Sequence, residues 1–268
     1  MDAAEPSERW VFGVPFALLD LAGVASAVAA RAPDAPFTYI CTPNAVHVVN
    51  MDRRDPRFVA GVEGAWLRIC DSRVVQRLAR LMFGIQIPLA PGSDLTQILV
   101  RDVIAPDDAV TVIGGSPELV DRLQTLYGMR RIALHVPPFG FAEDPAQMQA
   151  CIDFVITHPA RYVFLACGAP QSELLGLCIR THGGATGLGL CVGASLLFVT
   201  GLAKRAPPLW QRSGLEWLHR LIQEPGRMSR RLVAGQLPLL TVAWRYRQNP
   251  DLAQAQRRPR PVDASNAG

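Results

Sequence analysis

The stretch AVTVIGGSPELVDRLQTLYGMRRIALHV, residues 109–136, decides the fold. Its first five residues form an apolar run, AVTVI, which reads as a strand. Gly114 and Gly115 end that run. Ser116 and Pro117 then suit the N-cap and first position of a helix, and 117–127 reads as that helix. A second apolar run follows at 131–136. Strand, helix and strand in so short a span are the unit from which parallel sheets are built.

The same alternation extends in both directions. Further strands are expected at 38–41, 66–70, 162–166 and 186–192. Helical patterns fill 18–32, 45–52, 74–83, 94–103, 145–157 and 171–181. The sequence therefore predicts an α/β fold, a Rossmann-like and largely parallel sheet flanked by helices. Ligands of such sheets bind beyond the carboxyl ends of the strands, in the loops that lead into helices.

Composition divides the chain near residue 200. Residues 1–200 read as an α/β catalytic body, and 201–268 as a basic, helical, Arg-rich appendage with a disordered tail. From Thr200 onward there are 12 Lys and Arg against 4 Asp and Glu, within a chain whose net charge is only +4. A basic tail on an acidic body suits an anionic partner. Nucleic acid fits poorly, because the body carries net negative charge and shows no basic groove with stacking aromatics. An anionic membrane surface fits better, since Trp210, Trp217, Trp244 and Tyr246 interleave with the arginines.

Other classes are disfavoured. The start, MDAAEPSERW, is acidic and polar, unlike a secretory signal, and no uncharged apolar run approaches the roughly 20 residues of a spanning helix. Any membrane role is therefore expected to be peripheral. The six cysteines form no CxxC pair and sit in apolar runs, as buried reduced thiols of a cytoplasmic protein do. The five histidines are scattered, so neither a metal nor a cofactor is expected. An oxidoreductase would need an early Gly-rich fingerprint, which is missing.

Five loops could carry chemistry. Thr42-Pro43-Asn44 follows the strand YIC and can either cap the next helix or bind a sugar or phosphate. Asp71-Ser72 follows WLRIC. Asp71 has two readings there: an N-cap, or a base that takes a proton from an attacking hydroxyl. Gly114, Gly115 and Ser116 form a cradle in which backbone N–H groups could meet a diphosphate. Gln171, Ser172 and Glu173 open a helix after the strand ending at Ala166, on the same sheet edge as Asp71. Val192-Gly193-Ala194-Ser195 reads mainly as tight packing, Asp94 as a plain N-cap, and Asp107-Asp108 as a turn.

In order, these loops resemble the WecG/TagA/CpsF glycosyltransferase family. The match runs through FGVPFALLD, TPNA, CDSRVV, PGSDL, IGGSPE, PPFGF and CGAPQSE. It ends in VGASLLFVTGLAKRAPPLWQRSGLEWLHRLIQEPGRMSRRL, where RAP, LEW and EP-x-R in close succession are the most specific features. The resemblance implies transfer of a hexose or N-acetylhexosamine-type residue from a UDP-sugar to a sugar on undecaprenyl diphosphate. The products would be exopolysaccharides or other cell-surface polysaccharides. It puts the catalytic base on Asp71 and ligand contacts on Thr42 and Asn44. It puts a basic segment that docks on the inner face of the membrane from about Lys204 onward. Arg205, Arg212, Arg220, Arg227, Arg230 and Arg231 are then candidates for diphosphate or lipid contact, and a homo-oligomer is allowed. Two departures stand out. Asp71-Ser72 replaces the family's Asp-Gly, and Pro170-Gln171-Ser172-Glu173 replaces its Pro-Lys-Gln-Glu. The second leaves open an inactive member that serves as a partner in a polysaccharide assembly complex.

Overall fold

The computed structural model describes residues 7–213, 218, 222, 226, 235 and 237–249. The chain opens with an antiparallel hairpin of β1 (Glu8–Val11) and β2 (Val14–Ala17), followed by α1 (Leu21–Ala30). Then come β3 (Thr38–Cys41), α2 (Ala45–Arg53), α3 (Pro56–Glu63), β4 (Leu67–Arg68) and α4 (Arg73–Phe83). Next, α5 (Gly92–Ile98) runs into a π-helical turn, Leu99–Val103. The second half alternates β5 (Ala109–Ile113), α6 (Pro117–Tyr127), β6 (Arg131–His135), α7 (Pro145–Thr157), β7 (Tyr162–Leu165), α8 (Gln171–His182) and β8 (Leu188–Cys191). Short helices α9 (Ser195–Val199) and α10 (Pro208–Ser213) follow, and α11 (Leu237–Gln248) is the last described element.

Six strands form one parallel sheet in the order β4-β3-β8-β7-β5-β6. The expected α/β architecture is the observed one. Apolar residues cover both faces, as a parallel sheet requires. One core cluster joins the sheet to α2, α3, α4, α7, α8 and α11, and the other joins it to α1, α5, α6 and α9. The chain leaving β3 therefore enters the first layer, and the chain leaving its neighbour β8 enters the second. Loops that diverge in this way open a crevice at the carboxyl edge.

Three differences from the sequence-based expectation have physical causes. The strand expected at 66–70 is only Leu67–Arg68, although Trp66 N–H and Ile69 N–H continue the pairing through the carbonyls of Tyr39 and Cys41. The pattern at 94–103 divides into α5 and the π-turn. The hairpin carries no local signal because its turn is Phe12-Gly13, with φ of 51° and 77°, rather than the usual Asn-Gly. A phenylalanine holds a left-handed backbone here because its ring is fully buried, 5.6 Å from Phe83 and 6.0 Å from Tyr246.

Within residues 201–268, α11 packs against α2 and α4, with Leu239, Val242, Ala243 and Tyr246 buried in the core cluster they share. Arg220, Arg227, Arg230, Arg231, Trp217 and the tail beyond Asn249 lie outside the described residues. Among the described residues no helix is long and apolar enough to cross a membrane.

Candidate active site

The carboxyl edge brings four of the five loops together, those after the neighbouring strands β4, β3, β8 and β7. Asp71 leaves β4 half-buried. Its N–H donates to the Pro43 carbonyl at 3.1 Å, and its Oδ1 accepts the Gly92 N–H at 2.9 Å. The cap of α4 is supplied by Ser72, whose Oγ accepts the Val75 N–H. The Asp71 carboxylate is thus used between loops rather than within its own helix. Packing is tight at that junction, since a Cβ on Gly92 would stand 3.1 Å from the Thr42 methyl. Thr42 is buried and its hydroxyl donates to the Cys191 carbonyl at 3.0 Å, tying β3 to β8 across the crevice.

Asn44 is the N-cap of α2, and its Oδ1 accepts the Val46 N–H at 3.0 Å. His47, one turn on, places Nδ1 3.2 Å from the same oxygen. Its Nε2 lies 3.1 Å from Glu173 Oε1, and both side chains are at least 96% buried. His47 is not among the residues the sequence singled out. The available signal was its i+3 spacing from a capping asparagine, which puts it beside the cap.

Gln171 starts α8 half-buried at the edge. Ser172 and Glu173 turn inward: Ser172 Oγ donates to the Leu165 carbonyl at 2.8 Å, and Glu173 meets His47. Close packing of α8 on α3 fixes them, because a Cβ on Gly61 would come within 3.2 Å of the Glu173 backbone. Gly114 and Gly115 take positive φ of 92° and 84°, and Ser116 caps α6 as expected. The Gly114 N–H is committed to the His135 carbonyl, while those of Gly115 and Ser116 meet no acceptor among the described residues. The sheet order puts this cradle four strands from Asp71, about 19 Å at about 4.8 Å per strand. Arg205 pairs with Asp94 at 2.5 Å, pinning the segment after α9 onto the first turn of α5. Asp94 thus serves as an ion-pair partner, and the N-cap position of α5 is Pro91. Arg212 lies in α10.

The thiols near the edge are inert. Burial pushes Cys70, next to Asp71, up to about 12, and Cys167 likewise up to about 12. Among the described residues no group of three or more His, Cys, Asp or Glu side chains could hold a metal ion. A half-buried carboxylate beside polar side chains and helix starts, in a crevice of a parallel sheet, suits the activation of a hydroxyl. The family model described as "Glycosyl transferase WecG/TagA/CpsF family" matches residues 9–252. That span runs from β1 past α11 and contains every edge loop, so the chain belongs to the WecG/TagA/CpsF family of glycosyltransferases.

Proposed function

We propose that this glycosyltransferase moves a sugar from a UDP-sugar onto a sugar carried by undecaprenyl diphosphate, with inversion at the donor carbon, during exopolysaccharide or other cell-surface polysaccharide synthesis. Asp71 is the base. It removes the proton from the acceptor hydroxyl as that oxygen attacks the anomeric carbon and the bond to UDP breaks. The observation that carries this reading is the mooring of Asp71 by Pro43 and Gly92, which holds a half-buried carboxylate at the crevice. A fixed carboxylate at the reacting centre loses no freedom when the transition state forms.

In this reading the donor spans two places along the sheet edge. The oxygen that leaves is bonded to the carbon under attack, so the diphosphate must lie near Asp71 and not about 19 Å away. Asn44 and the arginines of the appendage are the groups for that end, while Thr42, whose hydroxyl hydrogen is committed to the Cys191 carbonyl, shapes the crevice beside them. Gly115 and Ser116 suit the far, nucleoside end of an extended donor, with Gln171 between. In this reading residues 1–200 do the chemistry. The segment 201–268 brings Arg205, Arg212, Arg220 and Arg227 to the acceptor's diphosphate or to lipid, at the cytoplasmic face of the inner membrane. The outer face of α11 supports contact with a bilayer. Leu237, Leu240 and Trp244 recur there at helical spacing and are all exposed.

The test is transfer from a panel of radiolabelled UDP-sugars to polyprenyl-diphosphate-linked sugars, with and without chelator. Transfer from one donor, retained in chelator, is expected. No transfer from any donor by the folded protein would favour the non-catalytic partner in an assembly complex.

A further inference from the structure

A chain of three side chains links the buried junction of α2, α3 and α8 to the mouth of the crevice. Its outer member is Asn44. The Asn44 Oδ1 accepts the Val46 N–H at 3.0 Å, and a backbone amide can only donate. This fixes which end of the carboxamide is oxygen. His47 Nδ1 lies 3.2 Å from that same oxygen, so Nδ1 carries a hydrogen. The far nitrogen, Nε2, lies 3.1 Å from Glu173 Oε1. His47 is thus held at both ring nitrogens, between the Asn44 carboxamide and the Glu173 carboxyl group. Phe58, with its ring 5.6 Å from that of His47, closes the site from α3.

We infer that Glu173 and His47 are positioning residues, which lock the Asn44 carboxamide so that its NH2 group donates into the crevice, to an oxygen of the nucleotide-sugar. Asn44 is half-buried at the carboxyl edge, and none of the described residues accepts from its Nδ2. An amide held by one bond alone can still tilt about that bond and re-aim its NH2 group. The second bond, from a ring that Glu173 holds in place at 3.1 Å, opposes that. Glu173 thus acts on the substrate through two intermediaries and needs no contact of its own with it. The inference rests on the donor-site reading above.

Two variants separate positioning from folding. In His47→Phe/Glu173→Leu both polar groups are replaced together by apolar ones of similar shape, which leaves neither partner stranded and preserves the fold. Its KM for the UDP-sugar, and its Kd for UDP as probe, should rise about threefold to tenfold, the worth of one oriented hydrogen bond, with kcat little changed. Glu173→Gln donates from its amide to Nε2 of the ring protonated at Nδ1. It should therefore bring KM back to within about twofold of wild type. Asn44→Asp keeps the cap but has no N–H to offer. It should raise KM by a similar factor, with no further rise when combined with the Phe/Leu pair. Wild-type KM in the folded Phe/Leu variant would overturn the positioning role and leave the donor site standing. A wild-type protein that binds neither UDP nor UDP-sugar would overturn both.

Discussion

Asp71 follows β4 and Glu173 follows β7, so both carboxylates stand at the carboxyl edge of one sheet. Their surroundings differ. Asp71 is half-buried and moored by loop backbone at Pro43 and Gly92. Glu173 is 2% exposed and faces His47 beneath the edge. A carboxylate that water and substrate can reach is able to exchange protons during turnover. One sealed under α2 and α3 can only fix what surrounds it. The same functional group at one sheet edge is therefore divided between chemistry and architecture by burial.

The largest expected effect exploits that division. Asp71→Asn keeps an oxygen for the Gly92 N–H, so its melting temperature should match wild type, while turnover falls about 10²–10⁴-fold. A variant with matching stability and matching turnover would erase the distinction. Next comes Glu173→Leu alone, which strands Nε2 of a buried imidazole and should cost about 1–3 kcal/mol in denaturant unfolding. His47→Phe added to it should recover most of that loss. An unchanged unfolding midpoint in Glu173→Leu would mean the pair contributes nothing to the fold.

A third effect concerns the thiols around the two carboxylates. Burial raises Cys70 and Cys167 to about 12 and Cys151 to about 11, against an ordinary value of 9.0. The unfolded chain loses these protons near pH 9 and the folded chain keeps them. Their stabilisation is complete below about pH 9 and disappears as pH rises through 11 to 12. Melting temperature followed from pH 8 to 11.5 should fall progressively, and a flat profile would contradict the burial of these groups. The smallest effect lies away from the edge. Trp244→Ser on the outer face of α11 should weaken co-sedimentation with anionic vesicles several-fold without changing turnover on a soluble acceptor analogue. Equal sedimentation would remove α11 from the membrane contact.

Much of this is legible in the sequence. The strands at 38–41 and 109–113 and the helices at 117–127 and 145–157 keep their expected bounds, because apolar period, Ser or Asp caps and Pro at the first position all agree there. The hairpin is hidden because its turn depends on tertiary burial of Phe12, not on a turn-forming residue. Asp71 can be picked out by its place after an apolar strand. Its mooring cannot, since Gly92 reaches it from 21 residues away. The inward turn of Glu173 is equally hidden, because His47 lies 126 residues earlier and meets it only when α8 packs on α3. Local pattern reports elements and their ends, and contacts between distant loops appear only with the packing.

The central claim is that Asp71 takes the acceptor's proton, and single-turnover transfer tests it most directly. Enzyme in excess over labelled UDP-sugar is mixed with lipid-linked acceptor, and Kd for the donor is measured on the same preparations. Asp71→Asn should bind donor as wild type does and transfer the sugar at least about 100-fold more slowly. Transfer at the wild-type rate, with donor bound equally well, would contradict the account.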